Sequence, residues 1–288
     1  MGPFLREIQE YYLQGQESER LSSPQGQLER LRTQAILALH LPSAPAVVFD
    51  IGGGAGVHAF QLAQRGYRVN LIDPVELHLE QARSHASVSG IALASIALGD
   101  ARKLDIASGI ADAVLLLGPL YHLTDYLDRI QALREARRIL KPGGVLFAAA
   151  ISRFASLIDG LSSGFFQDAE FREIVARDLA SGQHRNPTSN SLYFTTAYFH
   201  RPEELASEIR EAGYEEIRVL AVEGPVWSAA QFRETWDDPA QREKLLEFLS
   251  LIERERSIIG ASAHLIAVAT CRAVQHSVSR AFGDPLDV

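Results

Sequence analysis

The run Asp50-Ile51-Gly52-Gly53-Gly54-Ala55-Gly56 is the segment of this sequence best suited to chemistry. It closes the apolar stretch that begins at Ala46, so the glycines fall where a buried strand should end and a helix begin. Glycines at such a turn permit positive φ and let a ligand lie against the backbone. The first N–H groups of the following helix suit an anionic group. Asp50, just before the glycines, is placed for a ligand's ammonium group. Asp73 lies about 20 residues on, at the end of a second apolar run, where a carboxylate can accept from two ribose hydroxyls. Asp100, in Gly99-Asp100-Ala101 after a third run, could accept from an adenine amino group. The loop fits more than one nucleotide cofactor, because Gly54 to Ala59 also matches the dinucleotide fingerprint G-x-G-x-x-A.

These residues need a scaffold, and the chain supplies a strand–helix alternation. Residues 4–40 read as helical, with Ser23 as N-cap and Pro24 in a first turn. Strands are expected near 46–51, 67–73, 95–99, 113–117 and 145–151, with helices between them that end at Gly66 and near Gly90. Thr124 is the expected N-cap of the helix carrying Leu127, Ile130, Leu133 and Leu140. The order implies a parallel sheet with helices on both faces. Beyond Ile151 about 50 residues pass before Pro202 opens the next helix, too many for an idle connection. A strand at 217–222, a helical stretch from about 228 to 259 and a last strand at 264–270 complete the chain.

Asp50 before the glycines, Gly99-Asp100 after the third strand and Leu140-Lys141-Pro142-Gly143-Gly144 before the fifth favour adenosylmethionine over a nicotinamide cofactor. Together with Asp73 and Leu115 to Leu123, this order resembles the class I S-adenosylmethionine-dependent methyltransferases, chiefly over residues 46–151. The resemblance implies a Rossmann-like α/β fold with a seven-stranded sheet, order 3-2-1-4-5-7-6 and strand 7 antiparallel. It implies S-adenosylmethionine as cofactor, with Asp73 on the ribose, Asp100 and Ala101 at the adenine, and Gly52, Gly54 and Gly56 at the methionine end. Leu117 and Gly118, after the fourth strand, would border the methyl. Tyr121 could line the sulfonium, and His122 is a candidate base near neutral pH. Helices before the first strand often cover the cofactor in this family, which makes Tyr11 and Arg20 candidate contacts.

The expected organisation is a helical segment at 1–45, a methyltransferase domain at 46–273 and a tail at 274–288. Insertions at about 153–200 and 225–262 would form a cap over the carboxyl ends of the strands, where open α/β sheets bind ligands. His184, Arg185, Tyr198, His200 and Trp227 are the acceptor-binding candidates within it. His58, His78 and His85 fall on helices and read as packing or surface residues, so no metal set is expected.

Composition narrows the acceptor. The 28 basic and 36 acidic residues give a net charge of −8, with Lys and Arg scattered among acids rather than gathered on one face. That argues for a small molecule and against nucleic acid; no run is long enough to span a membrane. The single cysteine, Cys271, allows no intramolecular disulfide or cysteine zinc cluster, and the charged start lacks the apolar core of a signal peptide. The expectation is a cytoplasmic enzyme acting on a metabolite. A non-catalytic adenosylmethionine-binding module and an NAD-dependent oxidoreductase are the competing readings.

Overall fold

A computed structural model describes residues 23–188, 190–229 and 231–272, apart from the Trp227 side chain. Helix α1 (Pro24–His40) is capped by Ser23, whose hydroxyl accepts from Gly26 N–H at 3.1 Å. The strands β1 (Val47–Ile51), β2 (Arg68–Asp73), β3 (Ser95–Leu98), β4 (Ala111–Leu116) and β5 (Leu140–Ser152) follow, with α2 (Val57–Gln64), α3 (Glu76–Ser89), α4 (Pro119–His122) and α5 (Tyr126–Ile139) between them. Next come α6 (Ala155–Ser163), α7 (Ala169–Ser181) and the short strands β6 (Gln183–His184) and β7 (Ala197–His200). The chain continues through α8 (Pro202–Glu211), β8 (Tyr214–Ala221), α9 (Phe232–Asp237), α10 (Pro239–Ile252) and β9 (His264–Cys271).

The central strands run β3-β2-β1-β4-β5, all parallel, and β9 then pairs antiparallel with β5 and with β8. Counting β8 as the sixth core strand and β9 as the seventh gives the expected order 3-2-1-4-5-7-6. Side chains alternate between the two faces, as the two-residue strand repeat demands. Phe49, Val114, Leu116, Leu146 and Ala148 pack with Leu133 and Ala136 of α5 and Leu205 of α8. Val48, Ala113, Leu115 and Phe147 pack with Ile36 of α1, Phe60 of α2 and Ala82 of α3. The sheet is therefore covered on both faces, which leaves its carboxyl edge for function.

That edge is extended. β9 occupies one side of β5 over 145–151, and on the other side β7 takes over where β4 stops, pairing parallel with Ile151 and Ser152. β6 then pairs antiparallel with β7.

Three local expectations change. The N-cap of α5 is Asp125, whose carboxylate accepts from Leu127 and Asp128 N–H, a stronger acceptor than the Thr124 hydroxyl. β5 starts at Leu140 rather than after the glycines, since a register shift against β4 absorbs Pro142 to Gly144. The helical stretch from 228 to 259 is broken at Asp238-Pro239, where proline ends α9 and opens α10 under an aspartate cap.

Candidate functional site

The loops that leave β1 and β4 meet at the carboxyl edge. Gly52 has φ +68°, and a Cβ there would lie 2.5 Å from Pro119 Cγ; one on Gly118 would lie 2.7 Å from the Gly52 carbonyl oxygen. The two loops close on one another because Gly52 leaves room for the Pro119 ring and Gly118 for the Gly52 carbonyl. Gly56, at φ +86°, then caps α2.

Asp50 and Asp73 converge beside this loop. Asp50 is 1% exposed and neither carboxylate oxygen closes a hydrogen bond. Burial, with Asp73 adding like charge, pushes its pKa from 3.8 up to about 7; the Ala59 amide in the first turn of α2 opposes this weakly. A buried acid without a partner is suited to a cation. Asp73 ties the loop together: Oδ2 accepts from Gly54 N–H at 2.8 Å, and Oδ1 faces Val75 N at 2.9 Å and His78 Nδ1 at 3.0 Å. Asp100 is held by the Arg102 guanidinium, which keeps its carboxyl below the usual range, and Arg102 also reaches Asp128 at 2.7 Å. Ala101 is buried beside it.

A cavity of about 1110 Å³ adjoins Leu117 and Tyr121. Its walls come from α1, α6, the 183–199 segment, the 222–234 segment and the ends of β5 and β9. Phe165, Phe171, Tyr193, Phe194, Phe199 and Phe232 give it an aromatic side among aliphatic walls, and Glu29, His58, His184, Glu223 and His264 are among its polar points. An apolar pocket with a few convergent polar groups is the usual form of a small-molecule site.

The expected acceptor contacts divide by strand register. Phe199 faces the cavity, so its neighbours Tyr198 and His200 face away. The Arg129 guanidinium covers the Tyr198 ring at 3.7 Å, and His200 Nε2 lies 3.2 Å from Glu208, which is paired with Arg129. Arg185 is occupied by the carbonyls of His184 and Ala197 and by Gln183. His184 does line the cavity; its ring bridges Asp178 and the Tyr193 carbonyl at 2.8 Å each. Tyr11 and Arg20 lie outside the described residues, as does the Trp227 side chain.

Tyr121 packs against the cluster of Ile151, Ala197 and Phe199, with the His122 ring 4.6 Å away. His122 bonds to the Thr196 backbone, and burial pushes its pKa down to about 4. A group so lowered holds a captured proton poorly at neutral pH, which makes it a weak base.

Several polar wall residues went unselected in the sequence, among them Glu29, His58, Glu223 and His264. Glu29 is on α1, His58 follows the glycine loop, Glu223 lies just past the end of β8, and His264 opens β9. His58 is half-buried, its Nδ1 atom is buried without a hydrogen-bond partner, and desolvation pushes its pKa down to about 4. Its position two residues past Gly56 was the available signal.

Residues 48–144 match the sequence profile of a family described as a methyltransferase domain. A ubiquinone biosynthesis O-methyltransferase of Methylocella silvestris is 36% identical over 106 residues, covering 37% of this chain and 40% of that protein. Its namesake in Pseudomonas aeruginosa strain UCBPP-PA14 is 31% identical over 168 residues, covering 58% and 64%. The chain thus matches between two-fifths and two-thirds of the length of these curated relatives. A solved structure from Thermotoga maritima, described as a SAM-dependent methyltransferase and possible histamine N-methyltransferase, superposes with a TM-score of 0.57 at 19% identity, over 92% of this chain and 99% of that one. At that identity the likeness is one of fold.

Proposed function

We propose that the chain is a class I S-adenosylmethionine-dependent methyltransferase, and from that premise that it methylates a small molecule held in the cavity beside Leu117 and Tyr121. The observation that carries this reading is the position of the cavity: Leu117 and Tyr121, which follow β4 beside the glycine loop, form part of its wall. The acceptor site thus adjoins the place where the fold binds its nucleotide.

The residues fit the methyl donor. Asp50 offers an unpartnered carboxylate to its ammonium group, and Asp73 and Asp100 stand after successive strands for the ribose and adenine. Asp73 keeps acceptor capacity on Oδ2 beyond its contacts with Gly54, Val75 and His78. The donor supplies a methyl on a sulfonium, a leaving group already activated. The chain's task is to align the acceptor and exclude water. Residues 153–200 and 225–262 serve as the cap that encloses it.

The aromatic side of the cavity favours an acceptor with a flat or apolar body, and the names of the O-methyltransferase relatives support oxygen as the methylated atom. The net charge of −8 supports a metabolite over nucleic acid. No helix among the described residues is long and apolar enough to cross a membrane, and a cytoplasmic site of action fits this reading.

The test is incubation with methyl-labelled S-adenosylmethionine and a panel of hydroxylated aromatic acceptors. Label should pass to at least one small-molecule product in the wild type and fall sharply in Asp73→Ala. Failure to bind S-adenosylhomocysteine in calorimetry would overturn the reading whatever acceptors were offered.

A further inference from the structure

Glu223 and His264 stand apart from the residues that hold the methyl donor. β8 ends at Ala221 and β9 begins at His264, so both side chains enter the cavity from one corner of the carboxyl edge. His264 Nδ1 lies 2.5 Å from Glu223 Oε1. Glu223 Oε2 accepts from the Ser262 hydroxyl at 2.8 Å and from His264 N–H at 2.9 Å. Ser262 Oγ in turn accepts from the N–H groups of Glu223 and Gly224. Ser262 is fully buried and Glu223 nearly so, which clamps the carboxylate in place. A carboxylate held against Nδ1 selects the tautomer with hydrogen on Nδ1 and the lone pair on Nε2.

Glu29 brings a second carboxylate to 3.9 Å from His264 Nδ1. It also acts electrostatically on His58, just past the glycine loop. Glu29 and His58 line the same cavity as the pair, and so do Leu117 and Tyr121 beside the glycine loop.

Resting on the methyl-transfer reading above, we propose that Glu223 and His264 form a base dyad that deprotonates a hydroxyl of the acceptor. The acceptor is then a phenol or enol, whose oxygen is a poor nucleophile until its proton leaves. The hydroxyl proton passes to His264 Nε2 as the oxygen lone pair forms the new O–C bond. The methyl–sulfur bond breaks and its electron pair stays on sulfur, giving the neutral thioether. The positive charge lost from sulfur ends on the imidazolium, facing Glu223 and Glu29. His122, pushed down to about 4, is the weaker candidate for this proton.

Glu29, Glu223 and His264 also place ligand-type atoms within 4.8 Å of one another, as a divalent cation would require. The contact between His264 Nδ1 and Glu223 Oε1 favours a shared hydrogen instead. Two ligands at roughly 2.0 Å from a tetrahedral ion must stay about 3.3 Å apart, and these are 2.5 Å apart.

The probe is 4-nitrocatechol, whose phenol and phenolate absorb at different wavelengths, added to the protein with S-adenosylhomocysteine. His264→Asn keeps an N–H toward Glu223 but removes the base; Glu223→Gln keeps the shape and removes the charge. At a pH where the free probe is mostly neutral, wild type should bind it as phenolate, His264→Asn as phenol, and Glu223→Gln with an intermediate spectrum. With a turned-over phenol, His264→Asn should slow single turnover about 10²–10⁴-fold, less for more acidic phenols, with S-adenosylhomocysteine affinity unchanged. A phenolate spectrum of equal strength in His264→Asn overturns the dyad. So does a wild type that binds S-adenosylhomocysteine but not the probe, or one whose probe binding is lost to a chelator and restored by a divalent cation. A wild type that binds no S-adenosylhomocysteine fails earlier, at the methyl-transfer reading itself.

Discussion

Replacing Asp50 by asparagine should make the free protein more stable at alkaline pH while weakening its grip on the methyl donor. The Asp50 carboxyl moves from 3.8 in the unfolded chain to about 7 in the folded one. For an acid whose pKa rises on folding, the folded state holds the proton more tightly. Its contribution is therefore most favourable below pH 3.8 and is lost as pH rises to about 7. Above that, the buried charge costs about 4 kcal/mol at most. Asp50→Asn removes the charge but leaves a buried amide, so a net gain on the order of 2–3 kcal/mol is expected at pH 8.5, and little at pH 5. That corresponds to several degrees in Tm for a chain of this size. S-adenosylhomocysteine carries the same ammonium group as the donor, so its affinity should fall by about 1.5–3 kcal/mol in the variant. Calorimetry at pH 6 in two buffers of different ionisation enthalpy adds a further check. Wild type should release up to about one proton on binding, because the ammonium draws Asp50 into its ionised form, and Asp50→Asn should release none. A Tm difference that does not change with pH, or unchanged affinity in a folded variant, would refute the assignment.

Other outcomes follow from the same geometry. Asp73→Ala should cost about 1.5–3 kcal/mol of S-adenosylhomocysteine affinity by calorimetry, through lost ribose contacts and a loosened Gly54 N–H. Once an acceptor is known, Phe199→Leu should raise its KM severalfold and Tyr198→Phe should not, because Phe199 alone of the two lines the cavity; equal effects would contradict the strand register. Burial lowers His58 and His122 to about 4, so each contributes stability that is fully present above pH 6.5 and lost as pH falls toward 4. Urea denaturation should show His58→Gln losing less stability than wild type between pH 7 and 4.5, by up to about 3 kcal/mol.

The glycine loop and the acids around it were legible in the sequence because their demands are local. A strand, a glycine turn and acids after successive strands are contiguous signals, and Asp50, Asp73 and the Gly52–Gly118 contact all lie within them. The cavity was not. Its walls join α1, α6, β7 and the β8–β9 corner, and no sequence spacing relates Glu29, Glu223 and His264. Around Tyr198 and His200 the sequence does not say which parity of the strand faces inward, and a one-residue error exchanges Phe199 for Tyr198 and His200. His58 was set aside for lying on a helix, although a residue in the first turn after a glycine loop is placed to face whatever that loop holds.

The most direct test is a crystal structure with S-adenosylhomocysteine bound. Its ribose should lie against Asp73 and its ammonium against Asp50, with the sulfur turned past Tyr121 toward the cavity bounded by Phe199 and His264. A sulfur facing solvent or the opposite side of the sheet, with this cavity closed off from it by protein, would contradict the assignment of the cavity as the acceptor site.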